Sequence, residues 1–458
     1  MKTIKSGLSI RDIRLSIFAF SILALGFAGA VQAQNVFHVD PSDDLSGVTD
    51  HTNVTTAFSH AVAAGPGSVV ELGAGNFYFY KMLQAENCAC EIRGNGKDST
   101  FLHTVPNFGL GEGLLEWQPA FLMIYPVADE WDESMPFEVT VSDMTFLIEH
   151  GNTGWGSHDV NNLFHSMDVI DTVGLVYDRA DPRYDDRDTI LDSTELRVTY
   201  RSLRAIGTSG PEFAPFNQSI LNVFSVFDLG VSVPDVVDDR VVFLFRWGRP
   251  VTGEFVFEDL EYSNFYNGLS IYLATDSDIR IGGPGRGIIA RNGNLSAVEL
   301  QDTSNSHVEV SNLEAYGMGG VYVGQGLYGI YGDDFGETYP ELLPELSTFD
   351  FHHNTIHLAE DGFWAGFELW NSRKRFSDGP NTILANITQN TFHFNDSEDF
   401  YRDFPGIFSC GVDDALVNGN NFRGRSSEAM NPEIFSLWGQ CGGEGWSIVG
   451  NNLSLIHI

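Results

Sequence analysis

One pattern of apolar and polar positions recurs through the C-terminal third of the chain. An apolar residue, two turn-forming residues, an Asn, any residue and a second apolar residue occur as "FHHNTI" (351–356), "ITQNTF" (387–392), "VNGNNF" (417–422) and "IVGNNL" (448–453). The key residues Asn354, Asn390, Asn420 and Asn451 are spaced by 36, 30 and 31 positions. Apolar residues alternate with polar ones on both sides of each turn. Ile383, Ala385 and Ile387 precede one turn, and Asn390, Phe392 and Phe394 follow it; Ala415 and Val417 precede the next, and Asn420 and Phe422 follow. Earlier segments read alike: Phe137, Val139, Val141, then Met144, Phe146, Ile148; Phe255, Phe257, then Leu260, Tyr262; Val308, Val310, then Leu313. Period-2 alternation predicts half-buried strands. A unit of this size cannot bury its own apolar face, so its recurrence predicts stacked coils, an all-β solenoid.

Stacking has consequences for particular residues. Strands ~4.8 Å apart place equivalent residues directly over one another. Inward Asn side chains then hydrogen-bond along the axis, satisfying amides whose unpaired burial costs ~1–3 kcal/mol each. Cys410 and Cys441 open the matching stretches "CGVDDALVNGNNF" and "CGGEGWSIVGNNL". They are one coil apart at the same corner, which predicts a Cys410–Cys441 disulfide; the alternative is two buried thiols. Cys88 and Cys90 are too close in sequence for an easy mutual bridge and are expected to share one face of a strand.

Residues 40–102 add a start to the solenoid. "VTDHTNVTTAFSHAVAA" predicts a short amphipathic helix with Val54, Ala57, Phe58, Ala61 and Ala64 on one stripe, followed by a Gly-Pro-Gly break and strands. With Asp50, Gly67, Val70, Leu72, Gly75, Phe77, Ile92, Gly94, Gly96 and Thr100, this segment resembles the N-terminal cap of the pectate-lyase-like superfamily. His51 and Asn53 stand where its members often carry an acidic-polar pair. The resemblance covers the cap closely and the rest through repeat character. It implies a single-stranded right-handed parallel β-helix with a capping helix and loop insertions. It also implies a carbohydrate-active protein, a polysaccharide lyase or glycoside hydrolase, binding its polymer along the coil axis. A non-catalytic exported adhesin or carbohydrate-binding surface protein stands as the alternative.

Residues 1–33 are expected to be a signal peptide: Lys2, Lys5, Arg11 and Arg14 lead into an apolar run, and Val31 and Ala33 suit a cleavage site before Gln34. The protein is then secreted, extracellular or periplasmic. The β-helix domain is expected over 34–452, with the cap and first coils at 34–102 and loop insertions at 150–250 and 324–347. The terminal "LSLIHI" (453–458) is a translation of CTGTCTCTTATACACATC, which resembles a transposon-end sequencing adaptor. It is expected to be an artefact of a gene cut near Asn452.

Charge narrows the partners. The chain carries 62 Asp and Glu against 25 Lys and Arg, a net charge of −37. Loss of 1–33 removes four positive charges and one negative and leaves −40. Such a surface repels nucleic acid and anionic membranes, and it takes a polyanionic sugar only where it is locally basic or holds Ca2+. A polysaccharide partner and a monomer are expected, with no nucleic acid and no membrane after leader cleavage. Ca2+ is the one cofactor considered, and the metal site is unknown. The acidic run Asp178, Asp181, Asp185, Asp186 and Asp188 matches no defined calcium loop.

No Gly-x-Ser-x-Gly, Ser-x-x-Lys, HExxH or phosphate-binding loop is present, and "GGPGRG" (282–287) reads as a corner turn. Three candidate sites follow from the register. His357, His393 and Arg423 each lie three past a ladder Asn and are expected to stack outward; His moves protons near neutral pH and Arg pairs a uronate carboxylate, as a lyase requires. Asp413 and Glu444 each lie three past a Cys and form the carboxylate pair a hydrolase requires. Trp155 and His158, in a Gly-rich stretch with Asp159 and His165, are candidates for contact with sugar rings. An ordinary polar ladder, a solvated acidic corner and core packing are the respective structural alternatives.

Overall fold

In the computed structural model of the protein, the described residues are 34–109, 121–126, 131–132, 134–148, 170–173, 195–207, 220, 222–226, 232–237, 240–245, 251–265, 267–272, 274–293, 295–325, 345–358, 365–371, 381–394, 406–425, 437–440 and 444–456. Residues Val36–Ile458 cluster as one unit. Its chain winds as a right-handed parallel β-helix, and nearly every strand pairs in parallel with its counterpart one coil away.

Each coil contributes to three faces. One late coil illustrates the path: Ser347–His352 on the first face, Thr355–His357 on the second, Phe367–Asn371 on the third, then Ile383–Thr388 stacked back on Ser347–His352. In the early coils the first two faces belong to one bent strand, as in Phe137–Ile148, Glu195–Gly207 and Val251–Phe265. The bend is a column of single left-handed residues. Asp143, Ser202, Asp259, Asn312, His353 and Gln389 have φ of 61, 50, 53, 55, 58 and 57°, and Gly419 and Gly450 follow at 66 and 64°. Asp, Asn and Gly enter this conformation most easily, which is why turn-forming residues precede the ladder Asn. Gly282, Gly283 and Gly285 all have positive φ, and the "GGPGRG" stretch is the turn between strands Ala274–Gly282 and Ile288–Gly293.

The core is a set of axial stacks. Tyr200, Phe257, Ile281, Val310, Phe351, Ile387 and Val417 occupy one inward position, all buried. Phe392 and Phe422 stack with centroids 4.9 Å apart. The Asn ladder runs beside them. The Oδ1 of Asn390, Asn420 and Asn451 accepts the N–H of Asn354, Asn390 and Asn420, each at 2.9 Å. The Nδ2 atoms of Asn390, Asn420 and Asn451 donate to Phe351, Ile387 and Val417 carbonyls at 2.9, 2.8 and 2.9 Å. The ladder begins at Asn354, which accepts from Leu313 N–H and donates to Val310 O, both at 2.9 Å. Upstream the same position is apolar: Leu313, Ile288, Leu260, Leu203 and Met144.

Helix Val48–Ala64 packs on the first coil and buries Val54, Ala57, Phe58 and Ala61. Ala64, expected on that stripe, is exposed; it is the last residue of the helix, before the Gly65 cap. The buried Asp50 carboxylate accepts the N–H groups of Ser42 at 2.7 Å and Tyr78 at 2.8 Å, tying the helix to the strand below it.

Two further expectations change. Cys88 and Cys90 are bonded to each other, with Cα atoms 5.1 Å apart. The expected shared strand face does not exist there: Asn87 is left-handed at φ 55°, only Cys90 begins a strand, and the resulting corner shortens the distance between the two Cα atoms. Within the stretch expected as an insertion at 150–250, Glu195–Gly207 is a full rung, paired on one side with Phe137–Ile148 and on the other with Val251–Phe265. Asn222–Val226 joins the third face, and Ser232–Val237 with Arg240–Phe245 makes an antiparallel hairpin. Cys410 is disulfide-bonded; Cys441 lies outside the described residues, as do 326–344 of the second expected insertion.

Candidate functional site

The third face departs from the alternation seen elsewhere. Asn267–Tyr272 is buried at every position, and Ser296–Gln301, Phe367–Asn371 and Ile407–Cys410 nearly so. A strand covered on both sides gives up the polar outer row, so a charged residue there is conspicuous. The outward row reads Ser225, Ser270, Glu299, Tyr322, Glu368, Phe408 in consecutive coils. Glu299 and Glu368 are each only 7% exposed. They sit two rungs apart, about 9.6 Å along the axis at ~4.8 Å per rung, with Tyr322 between them.

Their surroundings differ. Glu299 accepts hydrogen bonds from Asn267 Nδ2 at 2.5 Å, from Tyr272 Oη at 2.8 Å and from Gln301 Nε2. Glu368 accepts from the indole N–H of Trp370 and the Ala365 N–H. Burial pushes both carboxyls up from the usual range. For Glu368 the effect outweighs its two donors and carries it to about 7. Asn267 Oδ1 and Gln325 Oε1, at the two ends of these strands, are buried with no hydrogen-bond partner among the described residues. The face thus combines two carboxyls that burial makes easier to protonate.

The sequence-predicted histidine column forms on the second face. His357 pairs in register with His393, and His393 with Arg423. The imidazoles stack with centroids 4.4 Å apart and planes 4° from parallel. Two coils that the sequence left unassigned extend the column: Tyr316 stacks on His357 at 4.3 Å, and the Arg291 guanidinium lies 4.2 Å from the Tyr316 ring centroid. Partial burial holds His357 below its usual pKa, with His393 adding to the effect; partial burial and Arg423 do the same to His393. Both rings are therefore neutral bases at neutral pH. The hydrogen bond from Tyr316 Oη to Glu314 raises the phenol.

Asp413 and Glu444 also meet one coil apart. Asp413 Oδ1 accepts the Glu444 backbone N–H at 2.8 Å, and Asp414 N–H donates to the Glu444 carbonyl at 2.8 Å. One oxygen of Asp413 thus holds the next coil's corner in place. Trp155, His158 and the acidic run 177–188 lie outside the described residues. Among the described residues no group of three His, Cys, Asp or Glu is placed to hold a metal ion, and no helix is long and apolar enough to cross a membrane.

Sequence reasoning missed Glu299 and Glu368. The signal was there in "SAVELQ" and "GFELWN", where a lone Glu interrupts an otherwise apolar strand. Period-2 alternation marks strands with a clean polar row, and this face has none.

No family model matches the chain, and no curated protein matches it. Among solved structures it is similar to DFA-IIIase from Arthrobacter chlorophenolicus A6 at 11% identity, covering 91% of this chain and 83% of that one with a TM-score of 0.44. It is similar to the A-module of Azotobacter vinelandii mannuronan C-5 epimerase AlgE4 at 13% identity, covering 87% and 96% with a TM-score of 0.37. It is also similar to the catalytic unit of a GH87 alpha-1,3-glucanase from Streptomyces thermodiastaticus strain HF3-3 at 11% identity, covering 87% and 66% with a TM-score of 0.32.

Proposed function

We propose that this is an exported carbohydrate-active β-helix protein that hydrolyses a polysaccharide on its third face. The observation that carries this reading is the placement of Glu299 and Glu368, two buried carboxyls on one outward row, two rungs apart. About 9.6 Å of axial separation lies just above the ~6.5–9.5 Å that leaves room for a water between acid and base in an inverting glycosidase. Glu368, raised to about 7, carries a proton at neutral pH and protonates the glycosidic oxygen as the C–O bond breaks. Glu299 is raised by burial, against which donors from Asn267, Tyr272 and Gln301 favour its charged form; in that form it takes the proton of the water that attacks the anomeric carbon from the opposite side. The coil axis gives the polymer its direction.

The test is release of new reducing ends from a panel of neutral and acidic polysaccharides. Hydrolysis of one of them, lost by ~10²-fold or more in Glu368→Gln with folding retained by circular dichroism, supports the reading, since a general acid contributes on that order. Activity unchanged in both Glu368→Gln and Glu299→Gln overturns it, as do unsaturated products, which belong to β-elimination.

A further inference from the structure

The second face carries a different feature, and the hydrolytic site does not use it. Six arginines with described side chains, Arg93, Arg197, Arg201, Arg204, Arg280 and Arg286, are each ion-paired to Asp or Glu. That is the expected state of a cation on a chain with 62 acidic residues. Arg291 and Arg423 are the two exceptions among the described side chains, and both are exposed. They close the two ends of one column, with Tyr316, His357 and His393 between them in unbroken ring contact. Four rungs separate them, about 19 Å.

The rings stack along the axis, so their edges rather than their faces point to solvent. Each rung therefore offers one hydrogen-bonding edge, a phenol or a neutral imidazole. A parallel row beside it offers the Thr355 and Thr391 hydroxyls at the same spacing, and the amide oxygen of Asn421, next in that row, accepts from the Arg423 guanidinium. Glu314 is the acidic residue in that row, and it is engaged by the Tyr316 hydroxyl. Cations left unpaired on a strongly acidic protein cost nothing in desolvation while exposed, and they are free to pair an incoming carboxylate.

We infer that the Arg291–Tyr316–His357–His393–Arg423 column is a second, non-hydrolytic binding track for an acidic polysaccharide chain. Uronate carboxylates pair with Arg291 and Arg423, and sugar hydroxyls bond to the ring edges and to Thr355 and Thr391. The track rests on the glycan reading above for the class of polymer, and it lies on a different face from Glu299 and Glu368. Locally positive ends on a protein of net charge −37 make the recognition salt-sensitive.

The experiment uses the full chain and a hexamer of galacturonate, with its methyl ester as the neutral control. Histidine-selective NMR follows the His357 and His393 ring signals, assigned with His357→Gln and His393→Gln, and calorimetry gives the affinity. The acid hexamer is expected to shift both signals, to bind at least ten-fold more tightly than the ester, and to lose ten-fold or more in affinity in Arg291→Ala/Arg423→Ala. The histidine shifts and the arginine dependence are read on the second face itself, so failure of the hydrolase reading leaves this outcome intact. Absence of shifts at both histidines, equal affinity for the ester, or tighter binding of a single-stranded oligonucleotide overturns the inference.

Discussion

Asn390 and Asn420 are joined by two hydrogen bonds: the Oδ1 of Asn420 accepts both the backbone N–H of Asn390 at 2.9 Å and its Nδ2 at 3.0 Å. The arrangement repeats from Asn420 to Asn451. Each amide thus serves its own coil and the one before it, and the ladder couples the last coils into one cooperative block.

Replacing Asn390 by Leu keeps the volume but strands the Asn354 N–H and the Phe351 carbonyl. At ~1–3 kcal/mol for each buried group, the variant is expected to lose about 2–6 kcal/mol in a denaturant titration. Asn390→Leu with Asn420→Leu should cost less than the two single changes combined, because they share a bond. Additive losses would contradict a continuous ladder.

The left-handed column makes a second prediction. Gly419 has φ 66°, and a side chain there would meet only Gln389 Cγ at 3.7 Å, so space is not the constraint. Gly419→Val is expected to cost about 1–3 kcal/mol through backbone strain alone, while Gly419→Asn should cost under ~1 kcal/mol. Thermal melts of the two variants distinguish the cases.

Stability should bend with pH in two places. Glu368 is raised from 4.5 to about 7 in the fold, so its protonated form is the native one. Its contribution is fully present below pH 4.5 and is lost as pH rises through about 7, a fall of roughly 3 kcal/mol. Glu368→Gln should remove this share of the slope and leave that of Glu299, which burial also raises. His357 and His393 are held below 6.5 in the fold. Their contribution is present above 6.5 and is lost as pH falls through the lowered values, so His357→Gln/His393→Gln should flatten the acid side. Urea midpoints measured from pH 4 to 8 report both.

Much of the architecture was legible because a solenoid writes its periodicity into the sequence. The inward residues at Asn390, Phe392 and Ile387 are where alternation placed them, and the stacking of His357 on His393 followed from register alone. Tyr316 and Arg291 were out of reach because Leu313 replaces the ladder Asn and removes the marker that fixes the register. Glu195–Gly207 is a rung inside the stretch expected as an insertion, and its outward Arg197, Arg201 and Arg204 pair with Glu195, Glu91 and Glu261. The Cys88–Cys90 bond depended on a left-handed Asn87 that no spacing announces. Glu299 and Glu368 acquire their character from burial on the outer side of a strand, a property of three dimensions.

The most direct test of the account is the anomeric configuration of the first product, read by proton NMR during hydrolysis of whichever polysaccharide yields reducing ends. Inversion is expected, together with loss of that product in Glu299→Gln and in Glu368→Gln. Retention of configuration with both variants still active would contradict the placement of acid and base two rungs apart on the third face.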